Sequence, residues 1–132
     1  MSVKFEYDSE QQLLMLTFEG ELRDEDLVQA FRRTQKHARH MTVRRGIMNG
    51  LGITESAVTA ERVKSLAHHA PMFPADSDRA IVIKQDFLYG LARMYQMLAG
   101  ESREKLRVVR TMAEAYEHLR IHAPKKLETI AE

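Results

Sequence analysis

Apolar and polar residues alternate at the very start of the chain. Val3, Phe5 and Tyr7 are separated by charged residues, which is the period-two pattern of a β-strand with one exposed face. After a polar turn, residues 13–18 form a segment that is apolar on both faces over part of its length. Two strands with so short a link predict an antiparallel hairpin, with the first strand at the sheet edge and the second inside the sheet. Gly20 is expected to end the second strand.

Beyond the hairpin, strand-like and helical patterns alternate along the chain. Short apolar segments at residues 43–48, 79–83 and 106–110 predict three further strands. Four helices are predicted where N-terminal signals precede an amphipathic pattern. The signals are, in chain order, three carboxylates at Asp24–Asp26, an N-cap at Thr59, an N-cap at Asp86 and a capping box at Thr111–Glu114. The second helix has the clearest inner face, formed by Val63, Leu66, Ala67 and Ala70.

The resulting order, β-β-α-β-α-β-α-β-α, defines the expected fold class. It predicts an α/β protein with a single mixed, mainly parallel sheet, an N-terminal antiparallel hairpin and packed helices. Because no linker, repeat or low-complexity block interrupts the pattern, residues 1–121 are predicted to form one domain. Residues 122–132 are expected to be a C-terminal tail.

Composition excludes several classes of function. The 132 residues carry a formal net charge of +1, which argues against a nucleic-acid binder because phosphate contacts need a cationic excess. The absence of cysteine excludes disulfides and thiolate metal sites. The first residues have no apolar signal core, so we expect a cytoplasmic protein.

Candidate catalytic and metal-binding residues are few. Glu114, His118 and His122 could share one helix face, but one helix seldom completes a metal site. Glu61, Ser65 and a following histidine lie along another helix, where a nucleophile, base and oxyanion hole do not converge. We therefore expect no catalytic residue, metal or cofactor.

The helix beginning at Asp86 has more apolar residues than one buried face requires. Its sheet-facing stripe is expected to comprise Phe87, Leu91, Met94, Tyr95 and Leu98. Tyr89, Arg93 and Met97 form a second row, which could line a pocket for an anionic amphiphile, pack against a partner, or place a snorkelling arginine at the core edge. Met72 and Phe73, between two prolines, are expected to be exposed and to cover such a pocket or meet a membrane surface.

The element order, with YGLARMYQML at residues 89–98 and RVVRTMAEAYEHL at residues 107–119, resembles the SpoIIAA-like family. This family is related to STAS domains and is compared with SEC14-type lipid-binding domains. The resemblance implies a regulatory or binding module and not an enzyme. Antagonist STAS domains carry a phosphorylated hydroxyl in an Asp-Ser turn after the third strand. The matching stretch here lacks that step and is expected to be a partner or switch loop containing Asn49, Gly50, Thr54, Ser56 and Thr59.

Two functions follow as hypotheses. The first is a non-catalytic regulatory module that binds a protein partner through this loop, with a homodimer as a further option. The alternative is a SEC14-like binder or carrier of a hydrophobic or lipid-like ligand. Its ligand would contact Met72, Phe73, Tyr89, Arg93 and Met97.

Overall fold

The computed structural model describes residues 1–102 and 104–130. Within these residues, six strands form one sheet and four helices pack against it. The elements are β1 (Ser2–Asp8), β2 (Leu13–Arg23), α1 (Asp24–Ala38), β3 (Arg45–Ala57), α2 (Ala60–Ala67), β4 (Asp78–Val82), α3 (Asp86–Leu98), β5 (Leu106–Val109), α4 (Met112–Leu119) and β6 (Glu128–Thr129).

The sheet is mixed, with strand order β5-β4-β3-β2-β1-β6. β1 and β2 form the expected antiparallel hairpin, whereas β2, β3, β4 and β5 are parallel neighbours. These observations confirm the α/β class, the single mixed sheet and the hairpin.

The C-terminal residues contribute to the sheet, contrary to the expected tail. β6 pairs antiparallel with β1 at Glu6 and Tyr7, and the backbone N–H of Ile130 donates to the carbonyl of Phe5 at 2.9 Å. β1 is therefore covered by a further strand, and its predicted edge position is wrong. A two-residue strand of exposed polar residues carries too little apolar periodicity to be recognised from sequence.

Helices cover the two sheet faces unequally. α1, α2 and α3 lie on one face and enclose the larger core, which contains Phe5, Leu16, Phe18 and Phe31. α4 lies on the other face, where Ala115 and Leu119 pack against inward residues of β2, β3 and β4. This two-faced cover explains why β2 is apolar on both sides.

The helix caps follow the sequence signals with one exception. Thr59 Oγ1 accepts a hydrogen bond from the backbone N–H of Arg62 at 3.2 Å, so Thr59 is the N-cap of α2 as expected. The Thr111 hydroxyl caps α4 in the same way. At α3, Gln85 and not Asp86 occupies the N-cap, and Asp86 lies in the first turn.

The second and third strands are longer than the sequence pattern predicts. β2 continues through Gly20, which adopts φ 99°, and β3 continues to Ala57. Register shifts between these strands mark β-bulges, and a side chain at Gly52 would lie 2.6 Å from the carbonyl oxygen of Phe18. The glycines thus keep two irregular strands paired. Because pairing of β3 with β4 ends at Asn49, the remainder of β3 projects beyond β4 as a ribbon with β2.

Candidate functional site

An apolar cavity of about 80 Å³ lies between the sheet and the layer formed by α1, α2 and α3. Nearly all of its lining consists of carbon atoms, which come from these three helices, from the loop after α2 and from the sheet. Its walls include the side chains of Phe31, Leu66, Met72, Ile83, Leu91 and Tyr95. Because protein interiors leave few voids larger than a water molecule, an apolar space of this size is a candidate binding site.

Two glycines on β3 allow large side chains to lie against the sheet near this cavity. A Cβ at Gly46 would lie 2.6 Å from the ring of Phe73, and a Cβ at Gly50 would lie 2.5 Å from the Cδ1 of Ile83. A side chain at either position would therefore force its neighbour to shift.

The loop after α2 points inward and forms part of the wall. Met72 and Phe73 are each 5% exposed, so the expectation that they are exposed is wrong. The side-chain amide of Gln35 donates to the carbonyls of Ala70 and Pro71, both at 3.0 Å, which holds the loop against α1. α2 ends at Ala67, four residues before Pro71, so Ala70 is exposed beyond the helix and the prediction that it extends the inner face is wrong. The apolar residues between the two prolines turn into the core, because burial removes their carbon surface from water.

A buried ion pair borders the cavity. Arg79 is 3% exposed and donates to Glu101 Oε2 at 2.6 Å, and it also donates to the carbonyl of Ser77 at 3.0 Å. Burial, followed by the charge of Glu101, raises the pKa of Tyr95 to about 12, against an opposing effect of Arg79. Tyr95 is thus a neutral phenol at physiological pH, and the charge of Arg79 is already compensated.

The row Tyr89, Arg93 and Met97 does not line this cavity. The hydroxyl of Tyr89 donates to the carbonyl of Val108 at 3.4 Å, and the guanidinium carbon of Arg110 lies 3.9 Å from its ring centroid. Met97 is 73% exposed. The structure therefore separates the five predicted ligand residues. Met72 and Phe73, in the loop after α2, line the cavity, whereas Tyr89, Arg93 and Met97 lie on α3 away from it.

The rotation of α3 about its axis also differs from the predicted one. Leu88 and Gln96 are buried, whereas Phe87 and Leu98 are exposed, so the predicted sheet-facing stripe is wrong at these two residues. Of that stripe, Leu91 and Tyr95 do face the cavity. Apolar residues surround most of this helix, and the hydrophobic pattern alone could not choose its inner face.

The predicted partner loop is mostly strand. Asn49, Gly50, Thr54 and Ser56 belong to β3, which corrects the loop assignment, and only Thr59 lies beyond the strand end. Glycines and hydroxyl residues gave this stretch a loop-like composition, but pairing with β2 overrides that preference.

The contacts of these residues differ. Thr54 is exposed, while Asn49 Oδ1 accepts from the backbone N–H of Leu51 at 3.0 Å. Ser56 Oγ accepts from the backbone N–H of Val58 at 3.3 Å. Thr59 donates its backbone N–H and its hydroxyl to Asp24, both at 2.8 Å, and thereby joins the starts of α1 and α2. The hydroxyls of Ser56 and Thr59 are thus held in local hydrogen bonds, whereas Thr54 is exposed.

The candidate metal-binding residues and the candidate acid–base residues do not converge. α4 ends at Leu119, and Arg120 takes a left-handed conformation with φ 58°, so His122 does not continue the face of Glu114 and His118. Within residues 1–102 and 104–130, no group of three or more metal-ligating side chains is placed to hold an ion. Just beyond the end of α2, the imidazole Nδ1 of His69 lies 2.6 Å from the backbone carbonyl of Ser65, which makes this a local contact.

No family model matches this sequence, and no curated protein shows significant similarity to it. The resemblance to the SpoIIAA-like family therefore stays a prediction. In the described part of the chain, none of the helices combines the length and apolarity that a bilayer-spanning helix requires.

Proposed function

We propose that this protein is a non-catalytic binding module that holds a small, neutral, apolar ligand between its helical layer and its sheet. The single observation that carries the proposal is the apolar cavity beneath α2 and α3. The fold inferred with it is of STAS or SpoIIAA-like type, which the N-terminal hairpin and the alternating strands and helices support.

Apolar space that is left unfilled lowers the free energy of unfolding, because the side chains around it lose packing contacts. A ligand that binds only the folded state would recover part of this loss and raise the melting temperature. Met72 adds adaptability, since an unbranched thioether side chain can change rotamer to admit a longer ligand.

The charges at the cavity select against an anionic ligand. The Arg79 guanidinium is already paired with Glu101 and hydrogen-bonded to a carbonyl, so a carboxylate ligand would have to displace a buried partner. The Tyr95 phenol is neutral and adds no charge. We therefore propose a hydrocarbon or weakly polar ligand, such as an aromatic ring or a short alkyl chain.

Thermal unfolding in the presence of chemically graded probes tests this proposal. Benzene and hexanol are expected to raise the melting temperature, whereas hexanoate at pH 7 is expected to have little effect. In the variant Ala92→Leu, a larger side chain enters the cavity from α3, so the response to benzene should disappear. Ala113→Leu, at an exposed position of α4, is the matched control and should retain the response. An unresponsive wild-type protein, or an equal response in Ala92→Leu, refutes the proposal.

A second candidate function is regulation through a protein partner. It is favoured by the β2–β3 ribbon, which projects beyond β4 and exposes Leu51, Thr54 and Glu55. An exposed leucine and an exposed hydroxyl on the same ribbon fit a surface whose affinity for a partner changes on phosphorylation. In a pull-down from a bacterial lysate, Leu51→Asp and Thr54→Glu should each change the recovery of one specific protein, and Glu61→Ala on α2 should not. Identical recovery from all variants argues against this candidate.

A further inference from the structure

The outward face of α3 exposes a row of large apolar side chains. Phe87 is 62% exposed, Met97 is 73% exposed and Leu98 is 44% exposed. Between them lies Gly90, where an added Cβ would meet no atom within 4 Å. Several large apolar residues exposed on the outward side of one helix have the composition of an interaction surface.

These residues repeat in a pattern that is symmetric about the glycine. Residues 86, 90, 93 and 97 follow one line along the helix, and residues 87, 91, 94 and 98 follow the adjacent line. In the first line, Asp86 and Arg93 stand on opposite sides of Gly90. In the second line, Phe87 and Met94 do the same.

We propose that the α3 face binds the same face of a second copy of this chain, as an antiparallel helix pair that crosses at Gly90. A two-fold axis at this residue places Asp86 of one copy beside Arg93 of the other, and Phe87 beside Met94. Each contact occurs twice. The inference rests on the outer surface of α3 and not on the ligand proposed for the cavity.

The charges on α3 favour a second copy of this chain and set the relative direction of the two helices. The Asp86 side chain is 94% exposed, and its carboxylate, which already accepts from Arg110 at 2.8 Å, has acceptor capacity left for a second arginine. The Arg93 side chain is partly exposed, and its Nε has no hydrogen-bond partner among residues 1–102 and 104–130. An antiparallel pair joins these opposite charges, whereas a parallel pair would place Asp86 beside Asp86 and Arg93 beside Arg93.

The glycine gives the crossing point its geometry. Glycine in a helix interior is less favourable than alanine by about 0.5–1 kcal/mol, and no atom of the described residues lies close enough to require it at this position. At a helix crossing, the absence of a side chain lets the two backbones approach closely. Gly90 is thus explained by a contact between copies.

Sedimentation equilibrium at concentrations up to about 1 mM, where even weak complexes are populated, tests the proposal. We expect a monomer–dimer equilibrium and at least an approximately tenfold higher dissociation constant for Gly90→Gln, because its side chain fills the crossing point. Since that side chain meets open space within one chain, the variant should remain folded with an unchanged or higher melting temperature. Ala113→Gln, on exposed α4, should dimerise like the wild type.

Reversing the charge of Asp86 or Arg93 provides an independent test. Asp86→Lys and Arg93→Glu should each weaken dimerisation alone, because both contacts in each dimer then join like charges. An equimolar mixture of the two variants should restore association, since every contact again joins opposite charges. A wild-type monomer at the highest concentration overturns the proposal, as does a dimer insensitive to Gly90→Gln or a mixture that does not associate. Binding of the monomer to vesicles through Phe87 and Met97 would also overturn the proposal, because a membrane and not a second copy would then cover this face.

Discussion

The side-chain amide of Gln96 donates a hydrogen bond to the backbone carbonyl of Leu106, which lies on the outer edge of β5. Tyr89, two turns earlier on α3, donates to the next outward carbonyl of the same strand, that of Val108. The opposite edge of β5 pairs with β4. Two side chains of one helix thus cover an edge strand that would otherwise offer free carbonyls to another chain.

Removal of this amide should destabilise the protein. Gln96→Leu keeps a buried side chain of similar size but leaves the Leu106 carbonyl without its donor, so we expect the free energy of unfolding to fall by about 1–3 kcal/mol. Urea denaturation measures the change, and Gln29→Leu, at an exposed position of α1, is the matched control. A loss no greater than that of the control would contradict the role assigned to Gln96.

Sequence reasoning identified Gln96 neither as a core residue nor as an edge cover. Capping signals and the hairpin could be predicted because they depend on neighbouring residues, as at Thr59 and Thr111. The inner face of α3 could not, since its buried line is set by contact with β5, a strand ten residues further along the chain. The burial of Phe73 depends in the same way on Gly46, which lies in another element.

The buried ion pair of Arg79 and Glu101 should be costly to break from one side. Glu101→Gln leaves the guanidinium buried beside a neutral amide, and we expect a loss of about 3 kcal/mol in the free energy of unfolding. The double variant Arg79→Met/Glu101→Leu removes both charges and should be more stable than Glu101→Gln. Chemical denaturation compares them. Lys105→Gln, which breaks an exposed pair with Asp78, should change stability by less than about 1 kcal/mol. An equally small effect of Glu101→Gln would show that the pair is not effectively buried.

The two glycines at positions 46 and 90 should respond oppositely to alanine. Gly90→Ala should raise the free energy of unfolding of the monomer by about 0.5–1 kcal/mol, because the new methyl group meets open space and alanine favours the helix. Gly46→Ala places a methyl group against the Phe73 ring and should lower it by about 1–3 kcal/mol. Denaturation at low protein concentration, where copies do not associate, measures both. The same sign for both substitutions would be inconsistent with these surroundings.

Stability should decrease in alkaline solution through Tyr95. Its pKa is raised from 10.0 to about 12 in the folded protein, so between these values the unfolded chain releases a proton that the folded chain retains. The unfolded state then binds fewer protons, and the free energy of unfolding falls as pH rises, at most by about 1.4 kcal/mol per pH unit. Melting temperatures measured across this interval should fall more steeply for the wild type than for Tyr95→Phe. Parallel curves for the two proteins would contradict the pKa shift.

The proposed ligand site is tested most directly by a methyl-resolved NMR titration with benzene. Methyl groups that line the cavity belong to Leu66, Met72, Ile83 and Leu91, whereas Met97 and Leu98 report on the exposed face of α3. We expect saturable chemical-shift changes at the four cavity residues and none at the two surface residues, with the changes lost in Ala92→Leu. Changes confined to Met97 and Leu98, or no saturable change at all, would contradict binding of an apolar ligand beneath α2 and α3.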